Sequence, residues 1–323
     1  MAGLFLRGPS SRVCALRQAP TAPTPMKRLL LFLLTNIAVL ALLTIIVQAT
    51  GADTALSARG MDWRALLVFA AVIGFAGSLI SLALSKWQAK TFMGVQVIRE
   101  PQTEAESWLL ATVREHASRV GIGMPEVGIY GGPEMNAFAT GANRNHALVA
   151  VSSGLLRGMT REEAHAVLGH EITHVANGDM VTLALIQGVV NTFVIFLARV
   201  LGTLLDGFIS GGRTERRGAG PFYFVTVIVL QVVLGLFANV IVMWFSRRRE
   251  FRADAGGARL DGTGNMIAAL ERLQAGEGAA LPGALRTFGI SGDMASGLRR
   301  LFTSHPPIPE RIAALREGRY ASG

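Results

Sequence analysis

Four apolar runs divide the chain. Leu29 to Ala49 and Ala65 to Ser85 each carry no charge over 21 residues, about the length of helix needed to cross ~30 Å of hydrocarbon. They predict a transmembrane hairpin closed by the short connection Thr50 to Arg64. A second pair follows: Val181 to Leu205, interrupted by Arg199 and holding Gln187 and Asn191, and Phe222 to Phe245, which is uncharged. This pair predicts a second spanning hairpin, with Arg199 near enough to the end of its run to reach the interface or to face protein. Between and after the hairpins the pattern changes to that of a water-soluble fold. Thr103 to Val120 has helical periodicity and is stopped by Gly121, Gly123 and Pro125. Short alternating pieces at Glu126 to Tyr130, Ala137 to Thr140 and Ala147 to Val151 predict a small sheet. Beyond Ser246, helices are predicted at Arg247 to Arg259, Gly264 to Gln274 and Pro309 to Glu317, with a loop rich in Gly between the last two.

The expected organisation is an extension over 1–25, a transmembrane hairpin over 26–86, the first part of a soluble domain over 87–180, a hydrophobic hairpin over 181–245 and the rest of the soluble domain over 246–323. The first 25 residues hold three arginines, four prolines and no acid. They are expected to be disordered and without function, a stretch translated from an upstream start codon ahead of Met26-Lys27-Arg28. Composition agrees with a membrane protein, since half of the 323 residues are hydrophobic and only 16% are charged, against about 25% in soluble proteins. The charge balance is basic, 31 Lys and Arg against 22 Asp and Glu. These basic residues cluster beside the apolar runs rather than on one helical face, which favours anionic lipid headgroups and excludes a nucleic-acid partner. Lys27, Arg28, Lys86, Lys90 and Arg99 put both outer ends of the first hairpin in the cytoplasm. A single cysteine, Cys14, leaves neither an intramolecular disulfide nor a thiolate metal cluster.

The candidate chemistry lies in His170-Glu171-Ile172-Thr173-His174. Side chains four apart on a helix stand on one face, so His170 and His174 can turn ring nitrogens to one ion, with Glu171 placed to take a proton from water there. Thr160 and Glu163 have capping-box spacing, Ala164, Val167, Leu168, Ile172 and Val175 form an apolar stripe, and Asn177-Gly178 is a stop signal, so the five residues belong to a buried helix. A catalytic zinc takes three protein ligands. Asp179, Glu250, Asp254 and His305 are candidates for the third. Glu250 and Asp254 share a helical face, a spacing that suits a carboxylate ligand followed by an aspartate bonded to the free nitrogen of a ligating histidine. His116, His146 and His165 are read as ordinary surface or packing residues, and Asp179 as a helix-end residue or a support to the ligands.

Five segments, Met26 to Asn36, Asn136 to Gly141, His170 to His174, Arg249 to Asp254 and Ser304 to Pro307, resemble in order those of the HtpX family of membrane-bound zinc proteases; the CAAX prenyl proteases are more distant relatives. The resemblance runs from Met26 to about Arg316. It implies a mainly α membrane protein, with transmembrane helices and a gluzincin-like α+β metalloprotease domain containing a small sheet, facing the cytoplasm from the bacterial inner membrane. It implies one Zn2+ per chain held by His170, His174 and Glu250, with Glu171 as general base. Its implied substrates are misfolded or damaged membrane proteins, cut alongside other membrane quality-control proteases in a stress response. Asn136, Ala137, Phe138 and Ala139 match the edge strand that takes up an extended peptide. His305 is a candidate oxyanion donor, Arg311 a candidate for orienting carboxylates, and Asp254 a support to the ligands. Two other functions remain open at this point. One is a narrow-specificity processing protease, for whose enclosed chamber four spans are few; the other is a non-catalytic membrane scaffold or holdase.

Overall fold

The computed structural model of the chain describes residues 41–209, 222–279 and 305–319, with positions 42 and 59 left out. The N-terminal extension, most of the first predicted span and the Gly-rich loop before His305 lie outside the described residues. Of the first span, residues 43–49 are described and are helical. The connection after it contains a short helix, α1 (Ala52–Ala58), where the sequence suggested a loop. Its Leu56 is fully buried against Leu43, Trp63 and Phe196, and an apolar anchor of this kind explains why the segment folds back instead of hanging in solvent.

The other helices are α2 (Trp63–Phe92), α3 (Glu104–Val120), α4 (Ser153–Gly158), α5 (Arg161–Asn177), α6 (Asp179–Ile209), α7 (Tyr223–Asp261), α8 (Thr263–Ala279) and α9 (Ile308–Arg316). Among the described residues α2, α6 and α7 are long and apolar enough to cross a membrane. They pack in sequence, α2 along α6 and α6 along α7. Large side chains such as Val68, Phe69 and Ile80 on α2, and Phe224, Ile228 and Phe237 on α7, face outward. An exposed apolar surface of this extent on helices of bilayer length is a lipid-facing one. Helix α6 sits between the other two through close approaches: a Cβ added at Gly188 would come 2.5 Å from Phe75, and one at Gly74 would come 2.7 Å from the Thr192 backbone nitrogen. Small residues at such crossings are how helices without a hydrophobic drive between them still pack. Arg199 lies with its guanidinium 5.2 Å from the Phe69 ring centroid, so it meets protein within the hairpin packing.

Helix α7 joins two parts that the sequence pattern separated. Its 39 residues correspond to about 58 Å, well beyond the ~30 Å of a hydrocarbon core. The expected boundary at 245/246 falls inside it, because hydropathy changes there while helix propensity does not. The polar continuation, from Ser246 to Asp261, is what packs into the soluble domain.

That domain is built around α5. A four-stranded sheet has the order β1-β2-β4-β3, with β1 (Gln96–Val97), β2 (Glu126–Tyr130), β3 (Ala137–Thr140) and β4 (Leu148–Ser152). β2 and β4 are parallel, while β1 and β3 run antiparallel to their neighbours at the two edges. Helix α5 is capped as its sequence specifies. Thr160 and Glu163 form a capping box, and Gly178 closes the helix at φ 65°, ψ 35°, a left-handed conformation that glycine adopts without strain. Its Val167, Leu168 and Ile172 pack with Leu109 and Val113 of α3, Val149 of β4, Met266 and Leu270 of α8 and Leu315 of α9. The helix is thus covered on nearly every side by apolar residues, and the polar groups left among them are few.

Candidate metal centre

Helix α5 meets the polar half of α7 at close range, and glycine permits the approach. A Cβ on Gly256 would lie 2.5 Å from Thr173 Oγ1, and one on Gly257 would lie 3.1 Å from the His170 backbone nitrogen. This crossing brings Glu250 beside the two motif histidines although 76 residues separate it from His174. His174 Nε2 lies 3.1 Å from His170 Nε2 and 3.4 Å from Glu250 Oε1, and His170 Nε2 lies 3.6 Å from Glu250 Oε2. All three residues are buried.

The outer nitrogens of both rings face carboxylates. His174 Nδ1 bonds Asp179 Oδ2 at 2.6 Å, and His170 Nδ1 stands 2.9 Å from Asp254 Oδ1, an ion-pair contact without the alignment of a hydrogen bond. These partners assign the protons to Nδ1 and leave both Nε2 lone pairs pointing, with Glu250, to one place. Three converging acceptors in a buried site are well matched to a cation between them. Burial works against charge on His174, yet the Asp179 and Glu250 carboxylates push its pKa up to about 10. A position that favours positive charge so strongly on a buried ring suits a metal ion. Two imidazoles and a carboxylate, each oriented by a further group, are the donor set and supporting shell of a catalytic zinc-type site.

Asp254 is held in turn by Arg311 of α9, which donates from Nε to Oδ2 at 2.8 Å and from Nη2 to Oδ1. Burial of Arg311 works against its charge, but the Asp254 pair outweighs it and raises the pKa. His305, whose side chain is 63% exposed, donates from Nδ1 to Glu250 Oε2 at 2.7 Å. Glu171 is half-buried on the same helix, and its charge reaches His174 and Arg311. The structure therefore gathers His170, Glu171, His174, Glu250, Asp254, His305 and Arg311 into one place, with Asp179 bonded directly to a ligand histidine. The candidate peptide-binding residues are adjacent. β3 pairs with β4 on one side only, as an edge of the sheet, and packs beside α5. Phe138 stacks 5.6 Å from Tyr130, and Asn136 exchanges hydrogen bonds with Ser152.

His146 is exposed, His116 is buried in the packing, and His165 is partly buried. The last two converge on Asp261 at the end of α7. Asp261 stands 145 positions from His116, so no local spacing signalled the group.

The fold and the site define a class, an integral membrane protein carrying a metalloprotease-type centre where α5 crosses the polar half of α7. Residues 103–319 match Peptidase family M48, and the chain belongs to that family, in its HtpX branch. It is 60% identical over 291 residues to the Protease HtpX homolog of Thiobacillus denitrificans, covering 90% of this chain and 99% of that one. It is 61% identical over 290 residues to the Protease HtpX of Xanthomonas euvesicatoria, covering 90% and 97%. The crystal structure of S. mikatae Ste24p matches with a TM-score of 0.57 at 19% identity, over 88% of this chain and 67% of that one, a likeness of fold. The chain is a membrane protease whose family implies a metal, and neither the narrow processing enzyme nor the non-catalytic scaffold is favoured.

Proposed function

We propose that the protein is a zinc endopeptidase that cuts misfolded or damaged membrane proteins at the cytoplasmic face of the bacterial inner membrane. The observation that carries this reading is the buried convergence of His170, His174 and Glu250 with Glu171 beside them. In it, His170, His174 and Glu250 hold Zn2+, one per catalytic site, and the two soluble parts, 87–180 and 246–323, form a single catalytic unit carried by the hairpins 26–86 and 181–245. Bound zinc supplies a Lewis acid that polarises the scissile carbonyl and makes water acidic near neutral pH. Glu171 takes a proton from the attacking water and delivers it to the amide nitrogen as the C–N bond breaks. Asp254 and Asp179 keep the histidine rings turned inward, and Arg311 fixes Asp254. His305, anchored to Glu250 through Nδ1, donates to the developing oxyanion through Nε2 when that nitrogen also carries a proton.

The open edge of β3, at Asn136, Ala137, Phe138 and Ala139, binds an extended segment of substrate by backbone pairing, which tolerates many side chains. Such a mode suits a quality-control enzyme working in the bilayer beside other membrane proteases. Basic residues support the cytoplasmic orientation, with Lys86 and Lys90 on α2 and Arg247, Arg248 and Arg249 on α7 lying at the ends that join the soluble domain. Glu171→Gln tests the reading. The variant is expected to keep its zinc and lose cleavage of a membrane substrate by at least about 100-fold; unchanged cleavage overturns it.

A further inference from the structure

A second group of metal-ligating side chains lies one turn up α5, on the side turned to α3. His116 of α3 is fully buried, and its Nε2 is 3.0 Å from Asp261 Oδ1. His165 Nδ1 is 2.5 Å from that same oxygen, and the two rings meet edge to face with centroids 4.3 Å apart. The Asp261 side chain is only 2% exposed. Its other oxygen, Oδ2, has no hydrogen-bonding partner among the described residues and lies against Gly169, where an added Cβ would collide with it. A buried carboxylate with one oxygen shared by two imidazoles and the other left bare is costly. A histidine N–H satisfies Oδ1 alone, while a cation held between Oδ1 and the two ring nitrogens neutralises the charge that the bare Oδ2 shares.

Access is open as well. A cleft of about 420 Å³, lined by Trp108, Glu115, Arg119, Arg161, His165 and Asp261, leads to the cluster from the surface, a path for a hydrated ion. The two ring nitrogens stand 3.0 and 2.5 Å from Asp261 Oδ1, and small side-chain movements open these contacts to the spacing of ligands around an ion.

We propose that His116, His165 and Asp261 form a second divalent-cation site of the zinc type. Two imidazoles and one carboxylate are a borderline donor set that prefers such ions to Mg2+ or Ca2+. The site ties α3, α5 and the end of α7 together. Because Asp261 rests on Gly169, next to His170, an ion there braces the very crossing that brings Glu250 to the motif histidines. It is a bracing site, without a place for substrate, and does not depend on the catalytic reading.

The test uses the full chain in detergent, stripped of metal, dialysed against Zn2+ and assayed for bound zinc. Wild type is expected to hold two zinc ions per chain, His165→Asn one, His174→Asn one and the double variant none. One zinc in wild type, kept by His165→Asn and lost by His174→Asn, overturns the second site and leaves a hydrogen-bonded network. One zinc kept by His174→Asn and lost by His165→Asn sustains the second site and overturns the catalytic one. A further readout leaves the cluster intact: saturating zinc is expected to raise the melting temperature of the His174→Asn chain by mass action. No shift in that chain contradicts the site.

Discussion

Gly256→Ala is the smallest change that tests how the catalytic site is assembled. The added methyl would lie 2.5 Å from Thr173 Oγ1 and 2.9 Å from Thr173 Cβ, well inside van der Waals contact. Thr173 cannot swing away, since it is 7% exposed and its hydroxyl donates to the Gly169 carbonyl at 2.8 Å. The helices α5 and α7 must therefore separate, by roughly 1 Å, and overpacking of this kind costs about 1–3 kcal/mol. The same movement draws Glu250 from His170 and His174, and a misplacement of about 1 Å at a reacting centre costs on the order of 100-fold in activity. Thermal unfolding in detergent and the rate of cleavage of a membrane substrate measure the two effects. Thr173→Ala in the same chain removes the hydroxyl and methyl that the new group strikes, leaving only the 2.9 Å contact, so the double variant is expected to recover part of both losses. Wild-type stability and activity in Gly256→Ala, or a double variant no better than the sum of its parts, would refute the crossing as the device that joins the site.

Two other outcomes follow from paired charges, one at this centre and one away from it. Arg311→Met leaves the Asp254 carboxylate, 1% exposed, without its two-pronged partner, and breaking a buried pair in this way is expected to cost about 3–5 kcal/mol. Arg311→Lys restores charge without the fork and should fall between, and equal denaturation midpoints for all three chains would contradict the role given to Arg311. At the other end of the sheet, burial of Glu126 opposes its charge, but the Lys86 and Lys90 ammoniums prevail and hold its carboxyl below the ordinary value of 4.5. A carboxyl whose pKa falls on folding stabilises the fold above its unfolded pKa and ceases to do so as pH drops through the folded value. Glu126→Gln is therefore expected to melt below wild type at pH 7 and to converge with it in acid, while an equal gap at both ends contradicts the link between α2 and the sheet.

Much of the architecture was legible because its signals are local. The capping box of Thr160 and Glu163, the glycine at 178 and the stripe through Val167 and Ile172 place α5 to within a residue of its observed ends. The Gly, Pro and Asn breaks between short β-like pieces did the same for β2 and β3. Hydropathy divides helix α7 in two because the apolar run stops at Phe245, whereas the backbone continues through Arg247, Arg248 and Arg249, which are good helix formers. The α1 helix and the two-residue β1 were missed for a different reason. Each is fixed by tertiary contacts, Leu56 against Phe196 and Gln96 paired with Ile129, which no window of sequence displays. The candidate ligands were found from the His170 motif and the Glu250 spacing. His116, His165 and Asp261 stood on three separate helices with no motif between them, and only packing brought them together.

In the proposed enzyme two stretches of soluble sequence, parted by an apolar hairpin, close on a single zinc ion. An anomalous difference map at the zinc edge, from crystals of the full chain, addresses it most directly. The expected result is a peak enclosed by His170, His174 and Glu250, absent when the same chain carries Glu250→Ala. A map with no zinc there, or with zinc unchanged by Glu250→Ala, contradicts that arrangement.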